Sequence, residues 1–126
     1  MDKRTLEWLK QAAYDIDTAE FMCQGGRYFY AVFMCHLAVE KALKGLYQQN
    51  LGETPPKTHN LIYLLNKIGV RPEEKIGRVI AKLTEANIAT RYPDDIDRLQ
   101  SHYTQEVATQ IVMQTKEVFE WTRAQF

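Results

Sequence analysis

At 126 residues and 14.7 kDa the chain has room for one ordinary domain, residues 1–126, and not for two. With 45% hydrophobic and 25% charged residues it can build a core, which excludes a disordered tail. Sixteen Lys and Arg balance sixteen Asp and Glu. Zero net charge excludes a domain held on nucleic acid by bulk positive charge and favours a defined oligomer over a self-repelling monomer.

Helical periodicity runs through the chain. Leu6, Leu9, Ala13, Ile16, Ala19 and Cys23 recur every three or four residues, so they share a stripe on a first helix that Gly25 and Gly26 stop. A second helix starts near Arg27, with Tyr28, Val32, Cys35, Val39, Ala42 and Leu46 as its seam. Phe29, Ala31, Phe33, Met34, Leu37, Ala38 and Leu43 add apolar surface on its other sides. A helix apolar nearly all round is either central to a bundle or shared with a second subunit.

Asn50 to Lys57, with Gly52, Pro55 and Pro56, is a loop. Thr58 is the expected N-cap of a short helix that runs through Ile68 and ends at Gly69 and Pro72. A further helix is expected from about Glu73 to Thr90, buried through Ile76, Val79, Ile80, Leu83 and Ala86. Pro93 blocks its continuation. A polar link, Asp94 to His102, leads to a last helix carrying Val107, Ala108, Ile111, Val118, Phe119 and Trp121. No segment alternates like a strand. The expected fold is all-α: an antiparallel up-and-down four-helix bundle with one additional short helix.

Cys23 and Cys35 fall inside apolar helical patterns and read as buried free thiols, without zinc-ligand spacing. The N-terminus is charged from its second residue and has no apolar signal core. The longest nearly uncharged run, Tyr28 to Val39, is too short for a bilayer. The chain is therefore expected to be cytoplasmic, with no membrane partner. No Gly-rich phosphate loop, GxSxG or HExxH occurs, and no cofactor or metal site is expected. The seven tyrosines fall mostly on helical seams, which suits packing more than base stacking.

Three constellations carry possible chemistry. His36, Glu40 and Lys44 stand four residues apart on the second helix, beside Lys41. They form either a charged groove wall for a phosphate or partner, or simply the solvated face of the helix. Lys57 and His59 flank Thr58 at the start of the short helix, where free N–H groups favour anions. An ordinary capped terminus is the alternative there. Third, in Arg91 to Tyr103, a histidine such as His102 can move protons while Arg91 or Arg98 neutralises charge on phosphorus. If the segment is helical, Arg98 and His102 lie one turn apart. Asp94, Asp95 and Asp97 can alternatively hold magnesium, or cap the last helix while one of them pairs with Arg98.

The segment GGRYFYAVF (25–33) followed by HLAVEKALKGL (36–46) resembles the second helix of a HEPN domain. PPKTHNL (55–61), RYPD (91–94), and Leu9, Ala12, Asp15 and Ala19 on the first helix extend the resemblance over nearly the whole chain. The resemblance implies a helical bundle that forms a homodimer with a cleft at its interface. It implies a minimal nucleotidyltransferase as partner, in the manner of a toxin–antitoxin pair, and a nucleotide or RNA as ligand. His36, Glu40, Lys44, Lys57 and His59 are then the candidate nucleotide or anion contacts. Many family members are metal-independent ribonucleases with four to six residues between an Arg and a His near the start of the last long helix. On that pattern Arg91, Arg98 and His102 are the candidate catalytic residues, with a non-catalytic helical scaffold as the further alternative. This sequence departs from the spacing: only Leu99, Gln100 and Ser101 separate Arg98 from His102, and ten residues separate Arg91 from His102. His102 and Tyr103 are adjacent, without the residue that separates His from Tyr in members nucleotidylated on that tyrosine.

Overall fold

A computed structural model describes all of residues 1–126. The chain forms six helices and no strand: α1 (Lys3–Gln24), α2 (Tyr28–Leu51), α3 (Leu61–Ile68), α4 (Glu74–Arg91), α5 (Ile96–His102) and α6 (Gln105–Ala124). The four long helices and α3 match the expected bundle. The link from Asp94 to His102 does not stay irregular, because Asp95 caps a seven-residue helix by accepting from the Arg98 N–H at 3.1 Å. Leu99, at its centre, is buried.

Local chemistry sets the other boundaries. The Asp2 carboxylate accepts from the Thr5 N–H (2.8 Å) and starts α1, while the Thr104 hydroxyl accepts from Val107 (3.3 Å) and starts α6. The cap of α3 is Asn60, which accepts from Tyr63, and not the expected Thr58. Thr58 instead accepts from the Asn60 N–H and shapes the turn before the cap. Gly69 closes α3 at φ 83°, left-handed backbone that a side chain would strain.

The long helices run up, down, up, down. Asp15–Lys41 and Trp8–Gln48 place α1 antiparallel to α2, and Arg91 over Phe33 brings the end of α4 to the start of α2. Lys75–Glu117 and Lys82–Gln114 make α6 antiparallel to α4. Helix α2 is the centre of the molecule and packs against all five others. Val32, Val39, Leu43 and Leu46 meet Leu61 and Leu64 of α3, Ile80 and Leu83 of α4, and Val118 of α6 in one continuous core. Each such side chain contributes about 1.5–3 kcal/mol by leaving water. The all-round apolar surface of α2 is thus covered within one chain. It does not require a second subunit.

The buried stripe of α1 differs from the expected one. Thr5, Ala12, Asp15, Ile16 and Ala19 face inward, whereas Leu6 and Ala13 are exposed. Asp15 is tolerated inside because Lys41 reaches it at 2.9 Å. Both cysteines are free; Cys35 is buried and Cys23 half-buried. Burial pushes the Cys35 thiol up to about 12, so it stays protonated and inert. No helix is long and apolar enough to cross a membrane.

Candidate functional site

The polar stripe on α2 is not a solvated face. His36 is fully buried, and Glu40 and Lys44 are only 4% and 8% exposed. Neighbours on two sides cover them. Lys44 Nζ donates to Glu40 Oε2 at 3.0 Å and lies over the Trp8 ring. On the other carboxylate oxygen, His59 Nδ1 approaches Glu40 Oε1 at 2.8 Å; an ionised carboxylate can only accept, so this nitrogen carries the proton. One further turn along, Gln48 accepts from the Trp8 indole N–H at 3.2 Å. Glu40 therefore ties α2 to the loop before α3, with both oxygens already engaged.

His36 lies 3.9 Å from Glu40, beyond hydrogen-bond range, and neither ring nitrogen has a partner. Burial depresses it to about 4; nearby Glu40 opposes this and Arg91 reinforces it. At neutral pH it is an uncharged core side chain. Arg91 belongs to the same neighbourhood. Its guanidinium stacks 4.8 Å above Phe33 and its Nε donates to Asn87, while Nη2 is buried without a partner. None of the larger surface clefts is lined by His36, Glu40, Lys44, Lys57, His59 or Arg91. Lys57 is exposed in the loop, clear of the α3 terminus.

Arg98 and His102 are placed differently. They stand one turn apart on α5 and line the same open cleft, about 640 Å³, between α4, α5 and α6. Lys82, Glu85 and Ala89 of α4 form one wall; Val107, Gln110 and Ile111 of α6 form another. Arg98 makes no ion pair within the chain, so the aspartate partner expected for it is absent. Of the aspartates, Asp95 caps α5 and Asp97 lies in its first turn, while the last helix is capped by Thr104. Asp94 and Asp95 border the cleft, but no group of three acidic, His or Cys side chains converges on a cation position. His102 stacks edge-on against Tyr103, centroids 4.7 Å apart. Tyr103 is buried and also lines the cleft, and burial together with Glu85 raises its phenol.

Several kinds of group thus meet in one place: cations from Lys82 and Arg98, the imidazole of His102, acids from Glu85, Asp94 and Asp95, and apolar wall from Ala89, Val107 and Ile111. That mixture suits a ligand with phosphate, hydroxyl and flat apolar parts. Of the candidate residues, the fold brings Arg98 and His102 together and keeps Arg91 apart from them. Sequence reasoning missed Lys82 and Glu85, which appear only as surface charges on α4. Their i, i+3 spacing was the one available signal.

A family model for the HEPN domain matches residues 5–125. TT1696 from Thermus thermophilus superposes with a TM-score of 0.82 at 26% identity, covering 99% of this chain and 100% of its own. ST0689, described as an archaeal HEPN homologue, superposes with a TM-score of 0.78 at 28% identity, covering 98% of both chains. No protein of curated function matches the chain significantly.

Proposed function

Because the chain belongs to the HEPN domain family, we propose that it is a binding subunit. It takes a nucleotide in the cleft between α4, α5 and α6, and works as a homodimer with a minimal nucleotidyltransferase of the toxin–antitoxin kind. The observation that carries this reading is the shared cleft of Arg98, His102 and Lys82, with Glu85 and the apolar wall beside them. The cations meet the phosphates, and the carboxylates accept from ribose hydroxyls. The stripe His36, Glu40 and Lys44 serves this function indirectly, by fixing α2 and the His59 loop. Titration calorimetry with ATP and the other ribonucleotides tests the cleft. Binding lost in Arg98→Ala and kept in Lys57→Ala is expected; equal binding in both variants overturns the assignment. Co-expression with the neighbouring reading frame tests the partner, and failure of the two chains to co-purify counts against it.

A second reading is favoured by Arg98 and His102 lying on consecutive turns of one cleft wall. In this reading the protein is a metal-independent ribonuclease. An RNA 2′-hydroxyl attacks the adjacent phosphorus, the 5′-oxygen leaves, and a 2′,3′-cyclic phosphate and a 5′-hydroxyl result. His102 moves the proton and Arg98 holds the charged phosphoryl oxygens. Cleavage of mixed RNA in EDTA that vanishes in His102→Ala supports this reading; no cleavage by the wild-type protein eliminates it.

A further inference from the structure

Among the side chains that line the cleft between α4, α5 and α6, Tyr103 alone is both buried and tipped by a polar group. It is 6% exposed and caps the C-terminal end of α5, directly after His102. A phenol so placed ordinarily finds a hydrogen-bond partner. The Tyr103 hydroxyl has none in the chain. Its oxygen is not sealed in the core either, since the buried and unpartnered side-chain atoms lie on Thr5, Asp15, His36, Arg91 and Thr115. The hydroxyl therefore reaches open space, and the charge acting on it there is that of Glu85, which lines the same cleft from α4. Burial and this carboxylate both raise the phenol. At neutral pH it keeps its hydrogen and can donate it.

Glu85 is the complement. Its carboxylate has no ion-pair partner, although Lys82 stands one turn before it and Arg98 lines the same cleft. Lys82 donates instead to Gln114 of α6 at 3.1 Å. The cleft thus sets an acceptor near a donor, close enough for the charge of one to act on the other, without a bond between them. A phosphate does not belong there, because the carboxylate repels it, and an apolar group leaves both unpaired. A ligand hydroxyl does belong, since it donates to the carboxylate and accepts from the phenol at once.

We propose that Glu85 and Tyr103 are specificity-determining residues, which hold the ribose 2′-hydroxyl of the ligand and make the cleft a ribonucleotide site. This rests on the nucleotide reading above and narrows its ligand from nucleotides at large to those that carry a 2′-hydroxyl. The hydroxyl donates to Glu85 and accepts from Tyr103, while Arg98 and Lys82 remain for the phosphates. A 2′-deoxy ligand leaves both residues without a partner. Because Glu85 is exposed, water replaces part of what it loses. The discrimination is therefore about tenfold, short of the roughly ten-thousandfold that a sealed hydroxyl site attains.

Titration calorimetry with ATP and 2′-deoxyATP, on the wild-type chain and on Tyr103→Phe and Glu85→Ala, tests the proposal. The readout is the ratio of the two dissociation constants within each protein. A variant that is partly unfolded, or whose cleft is merely reshaped, weakens both nucleotides and leaves that ratio where it was. The wild-type chain is expected to bind ATP about tenfold more tightly than 2′-deoxyATP. In each variant the ratio is expected to fall to near one. A wild-type chain that binds the two nucleotides equally overturns the ribose assignment while the nucleotide cleft stands. A preference for ATP that persists in either variant overturns the assignment to this pair. A wild-type chain that binds neither nucleotide overturns the cleft reading and this proposal together.

Discussion

Acid should destabilise this protein through His36. The imidazole is fully buried and neither nitrogen is hydrogen-bonded. Burial, assisted by Arg91, depresses it from 6.5 to about 4, with Glu40 pulling the other way. The folded state therefore binds fewer protons than the unfolded state between those values. Stability is fully present above pH 6.5 and is lost as pH falls toward 4. Integrating the proton difference gives a loss of about 2 kcal/mol between pH 7 and pH 5, and about 3 kcal/mol by pH 4. The perturbation is His36→Phe, which keeps a flat ring and gives up only the weak contact of the imidazole with the His59 backbone, so its cost at pH 7 should be about 1–2 kcal/mol. Urea unfolding of both proteins at half-unit steps from pH 7.5 to 5 supplies the comparison. The wild-type curve should fall by about 2 kcal/mol more than the variant's. Parallel curves would refute the reasoning, because the acid sensitivity would then belong to other groups.

Three further outcomes are expected in stability. Glu40→Gln strips buried Lys44 of its counter-charge and weakens the tie to His59, and should cost about 3 kcal/mol in chemical denaturation. Adding Lys44→Met to that variant should recover part of the loss, since the buried charge is then gone. Gly45→Ala and Gly77→Ala should move thermal stability in opposite directions. A Cβ on Gly45 would lie 3.0 Å from the Trp8 Cβ, forcing α1 and α2 apart at a cost of about 1–3 kcal/mol, whereas one on Gly77 meets only Pro72 at 3.9 Å and should add about 0.5–1 kcal/mol.

The number and type of the long helices were legible because each carries an apolar stripe and a chemical stop. The errors have physical causes. Asp15 and Thr5 are buried where Leu6 and Ala13 are not, because Lys41 neutralises Asp15 from a helix whose register with α1 no local pattern reveals. Helix α5 was hidden by its polarity, although Asp95 before Ile96, Leu99 and Tyr103 is a cap ahead of a helical repeat. The burial of His36, Glu40 and Lys44 was within reach. A helix apolar on every side must also bury the polar residues it carries. That Glu40 would find His59 was not, since the contact depends on how the loop after α2 folds back. In the same way Arg98 and His102 were visible as a pair, while Lys82 and Glu85 joined them only through packing of α4 against α6.

The central position of α2 divides the molecule into parts that open at different free energies. Removing α1, α3, α4 or α6 uncovers core side chains of α2, so those helices should exchange their amide hydrogens only through nearly global unfolding. Helix α5 is different: seven residues long, anchored by Leu99, and touching little but α2. It is expected to open at a lower free energy than the four-helix frame, uncovering only Leu99 and Tyr103 of the core. The wall that carries Arg98 and His102 is thus expected to be the first part of the molecule to open. A ligand that clamps it would show as slowed exchange in residues 96–102 and nowhere else.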